Sequence, residues 1–328
     1  MKQQTEISSE TAASTASASK RSIIIDTDPG QDDAFAIILA LAHHERLHVL
    51  GITAVAGNIA VDHTAANAQK ILKLAKREDI PVFKGAPAPL VAQPIFAEAI
   101  HGDGIMQGWD LAPSSTPLGS SFAPDWIIEM LDAEAPGSVT ICALGPLTNI
   151  ALVLAKRPDL ASRIAQVVLM GGSQTAGGNM SAVAEFNIFA DPHAADRVFG
   201  SPVPKVVVSL DITTKLLVDL NWIEEVAAIG GQVSWQLLGL LEFYAGYARA
   251  DKPRPLHDPA VIAWLLQPDL FKGERWNVAV ETGTGLCYGQ TVVDRNEVTG
   301  RPANVHWLTD VDAAGFYRLV LEALRSMG

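Results

Sequence analysis

Short, continuous apolar segments alternate with helical segments along most of this chain of 328 residues. The apolar segments are predicted to be buried strands at 23–25, 49–55, 82–83, 139–144, 166–170 and 205–210. Helical spacing between them predicts helices at 34–41, 62–76, 125–135 and 146–156. Continuous apolar strands that alternate with helices are typical of a mostly parallel sheet that is covered on both faces.

The pattern changes after residue 211. Helices are predicted at 222–229, 233–250 and 313–324, and short strands around 278–281, 290–293 and 305–308. The chain is therefore predicted to be an α/β protein, with a mostly parallel Rossmann-like sheet flanked by helices and with additional C-terminal helices and short strands. Residues 1–20, rich in Ser, Thr and Ala, are predicted to be a disordered tail, and residues 21–328 a single domain.

The charge and the apolar content of the chain restrict its partners. A formal charge of −12 argues against a nucleic acid or an anionic membrane as partner and favours a small molecule. The longest unbroken apolar run, at 34–42, has nine residues, whereas a membrane-spanning helix needs about 20. Because residues 1–20 lack the apolar stretch of a secretory signal, a cytoplasmic protein is predicted. Cys142 and Cys287 lie far apart and are predicted to be buried free thiols.

Four aspartates crowd the turn that follows the first strand. Asp26, Asp28, Asp32 and Asp33 fall within eight positions around Pro29–Gly30. Two like charges about 4 Å apart repel by roughly 4 kcal/mol at an effective dielectric constant near 20, so a folded turn must protonate, separate or neutralise them. A hard divalent cation such as Ca²⁺ or Mg²⁺ neutralises carboxylates most directly. Helix capping and turn formation without a cation would explain about two of the four aspartates.

Other strands are also followed by polar residues. Asn58 follows the second strand and Asp211 follows the sixth. Because ligands of open α/β sheets bind beyond the carboxyl ends of the strands, these side chains and the acidic turn are predicted to share one site. Asp211 is also a candidate for a cap at the strand end.

Three other interpretations of the turn make different demands on the sequence. An EF-hand loop is excluded, because Gln31 and Ile37 stand where it requires Gly and Glu. A nicotinamide cofactor is disfavoured, since no Gly-x-Gly-x-x-Gly follows the first strand. A Mg²⁺-dependent phosphatase that uses Asp26 as its nucleophile remains open, because Asp26-Thr27-Asp28 supplies the required pair of acids.

A series of motifs carries a resemblance to a known family. DTDPGQDDA, AVAGN, IHGDG, LGPLTNIAL, VVLMGG, AEFNIFADP, LDIT and LHDP occur in this order, and the resemblance spans residues 22 to about 325. Together they resemble the nucleoside hydrolases, the inosine-uridine preferring N-ribohydrolases. The resemblance implies Ca²⁺-dependent hydrolysis of the N-glycosidic bond of ribonucleosides to ribose and a free base in purine or pyrimidine salvage, by a homodimer or homotetramer. A nucleoside or ribose sensor without turnover is the non-enzymatic alternative.

The resemblance also implies roles for individual residues. Asp28, Asp33, Asp258 and the main-chain carbonyl of Leu144 match the ligands of Ca²⁺. Asp28 matches the proposed base that activates a metal-bound water. His257, whose pKa can lie near neutrality, is the candidate that assists the leaving base. The residues expected to contact the substrate are Asp32, Asn58, His101, Met170, Asn179, Glu185 and Asn187. Asp26 is expected to support the turn by accepting backbone hydrogen bonds.

The nucleobase preference is left open by the sequence. Aromatic rings contribute roughly 1 to 3 kcal/mol for each base that stacks on them. Candidates for contact with the base are Tyr244, Tyr247 and Arg249, which precede the LHDP motif, and Trp109 in the long segment between residues 85 and 124. None of these residues distinguishes a purine from a pyrimidine.

Overall fold

The computed structural model describes residues 20–96, 109, 111–247 and 254–328, except for the side chains of 242–247. Nearly all of the predicted tail lies outside the described residues. The strands are β1 (Arg21–Thr27), β2 (Leu47–Ala54), β3 (Val82–Lys84), β4 (Val139–Ala143), β5 (Ile164–Met170), β6 (Lys205–Val208), β7 (Leu217–Val218), β8 (Arg254–Pro255), β9 (Phe271–Val280), β10 (Thr291–Asp294) and β11 (Val305–Val311).

Helices connect most of these strands. They are α1 (Gln31–Ala42), α2 (Val61–Leu74), α3 (Ala123–Ala133), α4 (Thr148–Lys156), α5 (Phe186–Ala190), α6 (Pro192–Gly200), α7 (Leu210–Thr213), α8 (Leu220–Ile229), α9 (Gly231–Tyr247), α10 (Pro259–Leu266) and α11 (Ala313–Ser326). Short 3₁₀ helices occupy Pro158–Ser162 and Pro268–Leu270. None of the helices in the described part combines the length and the apolar character that crossing a bilayer requires.

Nine of the described strands form one large sheet, and β7 and β8 pair with each other separately. The strand order of the large sheet determines where the site lies. That order is β10-β9-β11-β6-β5-β4-β1-β2-β3, and the neighbours from β3 to β6, with β11, pair in parallel. The chain runs outward from β1 to β3 and then returns to β4 on the other side of β1. The sheet therefore reverses its strand order between β1 and β4, and ligands of open α/β sheets bind in the crevice at such a reversal. The predicted fold class is confirmed.

β1 shows why its apolar residues form a central strand. Successive side chains of a strand point to opposite faces of the sheet. Ile23 and Ile25 accordingly belong to the hydrophobic core that includes α1, and Ile24 belongs to the core on the other face. All three are fully buried. Because α1 is buried almost all round, its run of apolar residues needs no polar face.

Several boundaries differ from the predictions. β9 starts at Phe271, before the predicted 278–281, because residues 272–275 are exposed or half-buried beside β11 and so form no continuous apolar run. The strand predicted at 205–210 ends at Val208, and Leu210 starts the short helix α7. Cys142 is buried as predicted, but the prediction for Cys287 is wrong, because this residue lies exposed in the turns between β9 and β10.

Candidate active site

The turn between β1 and α1 presents its acids through a network of local hydrogen bonds. The Asp33 carboxylate accepts the Gly30 N–H at 2.8 Å and a short hydrogen bond from the Thr27 hydroxyl. The Asn67 amide donates to the Pro29 carbonyl at 3.1 Å and ties α2 to the turn. Asp32 and Asp33 occupy the first turn of α1, where the helix dipole favours negative charge.

Three buried carboxylates converge next to this turn. One oxygen from each of Asp32, Asp33 and Asp258 lies within 4.8 Å of the other two. Asp258 joins the group from the N-terminal end of α10 and hydrogen-bonds to Asp33. Burial raises the pKa of Asp33 to about 6, and the charge of Asp32 adds to this rise. Burial and the neighbouring carboxylates hold the pKa of Asp258 well above its usual range.

Asp28 lies beside this cluster and is almost completely buried. Its Oδ2 accepts the Asn58 N–H at 2.7 Å, and its main-chain carbonyl accepts the Asn58 side-chain amide at 3.1 Å. Burial raises the pKa of Asp28 well above its usual range, and the charge of Asp33 raises it further, against the opposing hydrogen bond from Asn58. Asn58 therefore fixes Asp28 from the end of β2.

The chemistry of these donors fits a hard divalent cation. All three clustered side chains offer carboxylate oxygen, the ligand that Ca²⁺ and Mg²⁺ prefer. Burial, and after it the charges of neighbouring aspartates, raise the pKa of Asp33 and Asp258, and the positive charge of a bound cation would oppose both effects. The observed cluster and the predicted ligand set share Asp33 and Asp258. The third acid is Asp32 in the cluster and Asp28 in the prediction. The predicted ligand set, with the Leu144 carbonyl, remains a prediction.

Asp26 has a different environment from that expected. Its carboxylate accepts hydrogen bonds from two side chains, the Thr53 hydroxyl at 2.5 Å and the Asn149 amide at 2.8 Å, so the expected backbone donors are wrong. Burial raises the pKa of Asp26 to about 7, although both hydrogen bonds oppose the rise. Because Asp26 is fully buried, a phosphoryl group could not reach it without rearrangement, which argues against the phosphatase interpretation.

A cavity of about 500 Å³ opens above the acids at the carboxyl edge of the sheet. Its volume is in the range of small-molecule sites. The predicted site residues that line it are Asp32, Asn58, Leu144, Met170, Asn179, Glu185, Asn187, His257 and Asp258. Asp28 and Asp33 are buried next to this lining. His101 lies outside the residues that the structure describes.

Glu185 and Asn187 join the cavity to the end of β4. The Glu185 carboxylate caps α5 by accepting the N–H groups of Asn187 and Ile188 at 2.9 and 3.1 Å. Burial raises the pKa of Glu185 to about 7 against these hydrogen bonds. The Asn187 amide donates to the carbonyls of Leu144 and Met170 at 2.8 and 3.2 Å. The Leu144 carbonyl is thereby oriented, and its second lone pair can serve another partner.

His257 reaches the cavity from the segment before α10. Its Nδ1 lies 2.7 Å from the Thr213 hydroxyl in α7, and its main-chain N–H donates to Asp32 at 3.3 Å. Burial lowers the pKa of His257 to about 4, and the charge of Arg254 lowers it further. The sequence interpretation placed this pKa near neutrality. The imidazole is instead neutral at pH 7, with Nε2 as the ring nitrogen that Thr213 does not engage.

Asp211 holds one wall of the cavity without lining it. Its carboxylate accepts the N–H groups of Gln174, Thr175 and Ala176 at 2.7 to 2.9 Å. Burial opposes ionisation, yet the hydrogen bonds from Thr175 and Gln174 outweigh it, so the pKa of Asp211 lies below its usual value. The segment continues to Gly178 and Asn179, which line the cavity. Asp211 thus supports the wall that carries Asn179.

We expect Asp211→Ala to raise KM for the substrate by roughly tenfold or more, because each lost hydrogen bond to a charged acceptor is worth about 1.5 to 3 kcal/mol. The segment 174–176 would lose its hydrogen bonds to Asp211, whereas the hydrogen bonds of the acids beneath the cavity would stay intact. Steady-state kinetics and a melting curve check this. Asp310→Ala, which removes an exposed acid that pairs with Lys215, is the control. An unchanged KM would contradict the anchoring role.

Some lining residues were not identified from the sequence. Phe96 and Arg254 both reach the cavity. Arg254 stands two residues before the LHDP motif, which was the available signal, whereas nothing in the sequence around Phe96 distinguishes it. Trp109 was predicted to approach the base, but it is buried and its indole N–H donates to the Gln236 carbonyl at 2.7 Å. Arg249 and the side chains of Tyr244 and Tyr247 lie outside the described part.

These features together define a class of protein. An open α/β sheet holds an acidic cluster and a polar cavity at the point where its strand order reverses. Buried carboxylates with raised pKa values in a cavity are typical of an enzyme site for a small molecule.

Comparisons with known proteins identify the family. Residues 23–318 match the model described as inosine-uridine preferring nucleoside hydrolase. The chain is 43% identical to the pyrimidine-specific ribonucleoside hydrolase RihA of Shewanella sp. (strain MR-7), over 93% of this chain and 96% of that protein. A plant nucleoside hydrolase, the PpNRh1 enzyme, superposes with a TM-score of 0.88 at 32% identity, covering 94% of this chain and 99% of that one. The purine-preferring ribonucleoside hydrolase from Gardnerella vaginalis gives a TM-score of 0.87 at 27% identity, with the same coverage.

The chain belongs to the inosine-uridine preferring nucleoside hydrolase family, which confirms the resemblance seen in its motifs. It is an N-glycosyl hydrolase of the ribonucleoside hydrolase type. The family is metal-dependent, and the cluster of Asp32, Asp33 and Asp258 offers a place for the cation.

Proposed function

We propose that this protein is a Ca²⁺-dependent ribonucleoside hydrolase with a preference for pyrimidine nucleosides. The observation that carries the proposal is the cluster of buried carboxylates directly beneath a cavity lined by polar side chains. The pyrimidine preference is supported by the 43% identity to a hydrolase named as pyrimidine-specific, compared with 27% to one named as purine-preferring.

Asp28 is the proposed general base. Hydrolysis requires a proton to leave the attacking water, and a carboxylate with a raised pKa is a stronger base than a solvated one. The Asn58 N–H engages Oδ2 of Asp28, which leaves Oδ1 as the proton acceptor. Ca²⁺ held by Asp28, Asp33, Asp258 and the Leu144 carbonyl would supply positive charge that polarises the water and orients two ribose hydroxyls.

Polar residues on two sides of the cavity are proposed to hold the ribose. Asp32 lies in the first turn of α1 and Asn58 follows β2, whereas Glu185 and Asn187 come from the segment around α5. Such side chains can hydrogen-bond to sugar hydroxyls and fix the ring while positive charge develops on it. Asn179 extends this set from the wall that Asp211 supports, and Met170 packs at the end of β5.

His257 is proposed to stabilise the departing base. Since its pKa lies near 4, the imidazole acts as a neutral hydrogen-bond donor and not as a stored proton at pH 7. Thr213 at Nδ1 favours the tautomer in which Nε2 carries the proton, provided the hydroxyl donates that hydrogen bond. Arg254 adds positive charge to the same cavity, which favours a base that leaves with negative charge.

The proposal is tested by incubating the purified protein with uridine, cytidine, inosine and adenosine and measuring ribose release, with Ca²⁺ and with a chelator. We expect release that needs Ca²⁺ and is fastest for uridine or cytidine. Faster purine cleavage would overturn the base preference, and full activity in the chelator would overturn the metal requirement. Binding of nucleosides without release would instead support a sensor. The predicted homodimer or homotetramer can be checked by light scattering on the same sample.

The loss of kcat on replacement of His257 by Ala should depend on the leaving group of the substrate. We expect kcat to fall by roughly 10²- to 10³-fold on natural nucleosides, the usual range for loss of one hydrogen-bond donor to a group that develops negative charge. A nitrophenyl riboside, whose leaving group departs as a stable anion, should lose far less. Thr213→Val is the matched variant, and it should give a smaller loss with the same pattern because it releases the imidazole without removing it. Equal losses on both substrates would show that His257 has another role.

A further inference from the structure

The Asp28 carboxylate lies between two glycines that come from different strands. Gly57 follows β2 and Gly145 follows β4. A Cβ atom added to Gly57 would stand 2.0 Å from Oδ2 of Asp28, and one added to Gly145 would stand 2.4 Å from Oδ1. Ordinary van der Waals contact begins at 3.4 Å. The two backbones therefore enclose the carboxylate from both sides, at the point where the sheet reverses its strand order.

Backbone conformation does not explain either glycine. Neither Gly57 nor Gly145 has the positive φ that side chains rarely adopt. The requirement is one of space, and at Gly145 it concerns Asp28 alone, because the atoms of the described chain within 3.0 Å of the added Cβ belong to that carboxyl group. A Cβ atom added to Gly57 would also stand 2.7 Å from Cδ of Pro146. Gly145 is thus the cleaner site for a test.

We propose that Gly57 and Gly145 are positioning residues that confine the Asp28 carboxylate to one orientation. Together with the Asn58 N–H on Oδ2, they prevent the side chain from rotating away from the reacting water. This inference rests on the proposed role of Asp28 as base. Because a methyl group at Gly145 overlaps the carboxylate by about 1 Å, Asp28 would have to shift by a similar amount, and a misplacement of 1 Å can cost roughly 100-fold in rate.

The first experiment compares Gly145→Ala with the same substitution at a glycine where an added Cβ atom meets no other atom. Gly200 ends α6 without positive φ, and a Cβ there would meet nothing within 4 Å. We expect Gly145→Ala to lower kcat by about 100-fold while KM changes by less than about threefold, because the ribose contacts are not displaced. Gly200→Ala should keep both values. Full kcat in Gly145→Ala would overturn the inference.

The second experiment measures stability and does not depend on activity. In the presence of a chelator, Gly145→Ala should lower Tm by roughly 2 to 5 °C, the range expected for overpacking in a chain of this size. The same substitution in an Asp28→Ala protein should lower Tm very little, because the carboxylate that the methyl group would overlap is gone. Equal losses in both backgrounds would overturn the inference. If Gly145→Ala fails to fold, recovery of folding in the double variant supports the inference, and an unfolded double variant contradicts it.

These two experiments separate the inference from the proposed function. A wild-type protein that released no ribose from any nucleoside would contradict the proposed function, yet the stability coupling between Gly145 and Asp28 would stay measurable. An active wild-type protein without that coupling would contradict the inference alone.

Discussion

Asp28→Asn is expected to lower kcat for ribonucleosides by roughly 10²- to 10⁴-fold, the usual contribution of a positioned general base. Asn keeps the size of the side chain and an oxygen that can accept the Asn58 N–H, so the surroundings of residue 28 need not move. It cannot take a proton from water. The fold should therefore survive while turnover is lost.

Stability distinguishes this result from simple damage. In the wild-type protein the charges of Asp33 and Asp32 act against ionisation of Asp28 and contribute to its raised pKa. Asn removes one charge from that repulsion, so the metal-free variant should melt at or above the wild-type temperature at pH 8. Asp269→Asn, on an exposed residue, is the control and should change neither quantity. Retention of wild-type kcat in Asp28→Asn would exclude this residue as the base.

Removal of divalent cations is expected to abolish turnover and to lower Tm. A ligand that binds only the folded state at about 1,000 times its Kd adds about 4 kcal/mol of stability. For a chain of this size that corresponds to a shift in Tm of the order of 5 °C or more. Melting curves with EDTA and with excess Ca²⁺, together with ribose release under both conditions, measure the two effects.

The dependence of these effects on pH follows from the raised pKa values. A carboxyl group whose pKa is raised on folding keeps its proton in the folded state over a range where the unfolded chain has lost it. The metal-free protein therefore has the full contribution of these groups only below pH 3.8, the pKa of Asp in the unfolded chain, and loses it as the pH rises through about 6 for Asp33 and about 7 for Asp26 and Glu185.

Cation binding needs the ionised carboxylates, so Ca²⁺ should raise Tm more at pH 8 than at pH 5. Mg²⁺, which demands stricter octahedral geometry, is the comparison ion. A Tm that is insensitive to every divalent ion at pH 8 would refute the cation site. An equal rise in Tm at pH 5 and pH 8 would show that binding does not require the buried acids to ionise.

Much of the site could be predicted because its chemistry is concentrated in short motifs. Charge repulsion in the run from Asp26 to Asp33 favoured a cation, and the position of Asn58 after the second strand predicted that it lies at the same edge of the sheet. Leu144 was predicted only from the resemblance to a family. Asp258 is separated from Asp33 by more than 200 residues. No local pattern joins these two, and only the resemblance to a family predicted that they meet.

The errors have a common physical origin in tertiary packing. Trp109 has an amphipathic side chain that suits contact with a nucleobase as well as burial in a core. It packs in the core because the Gln236 carbonyl of α9 accepts its indole N–H. The pKa of His257 depends on its burial and on Arg254, which sequence reasoning had not assigned to the cavity. The partners of Asp26 come from β2 and α4, at distances along the chain that no turn pattern reveals.

The separation of Asp33 from Asp258 also matters for how the protein matures. One acid lies in the first tenth of the chain and the other in the last quarter. A nascent polypeptide therefore cannot assemble the full cluster until most of it has left the ribosome. Ion capture is then a late event, which reports completed folding and cannot nucleate it.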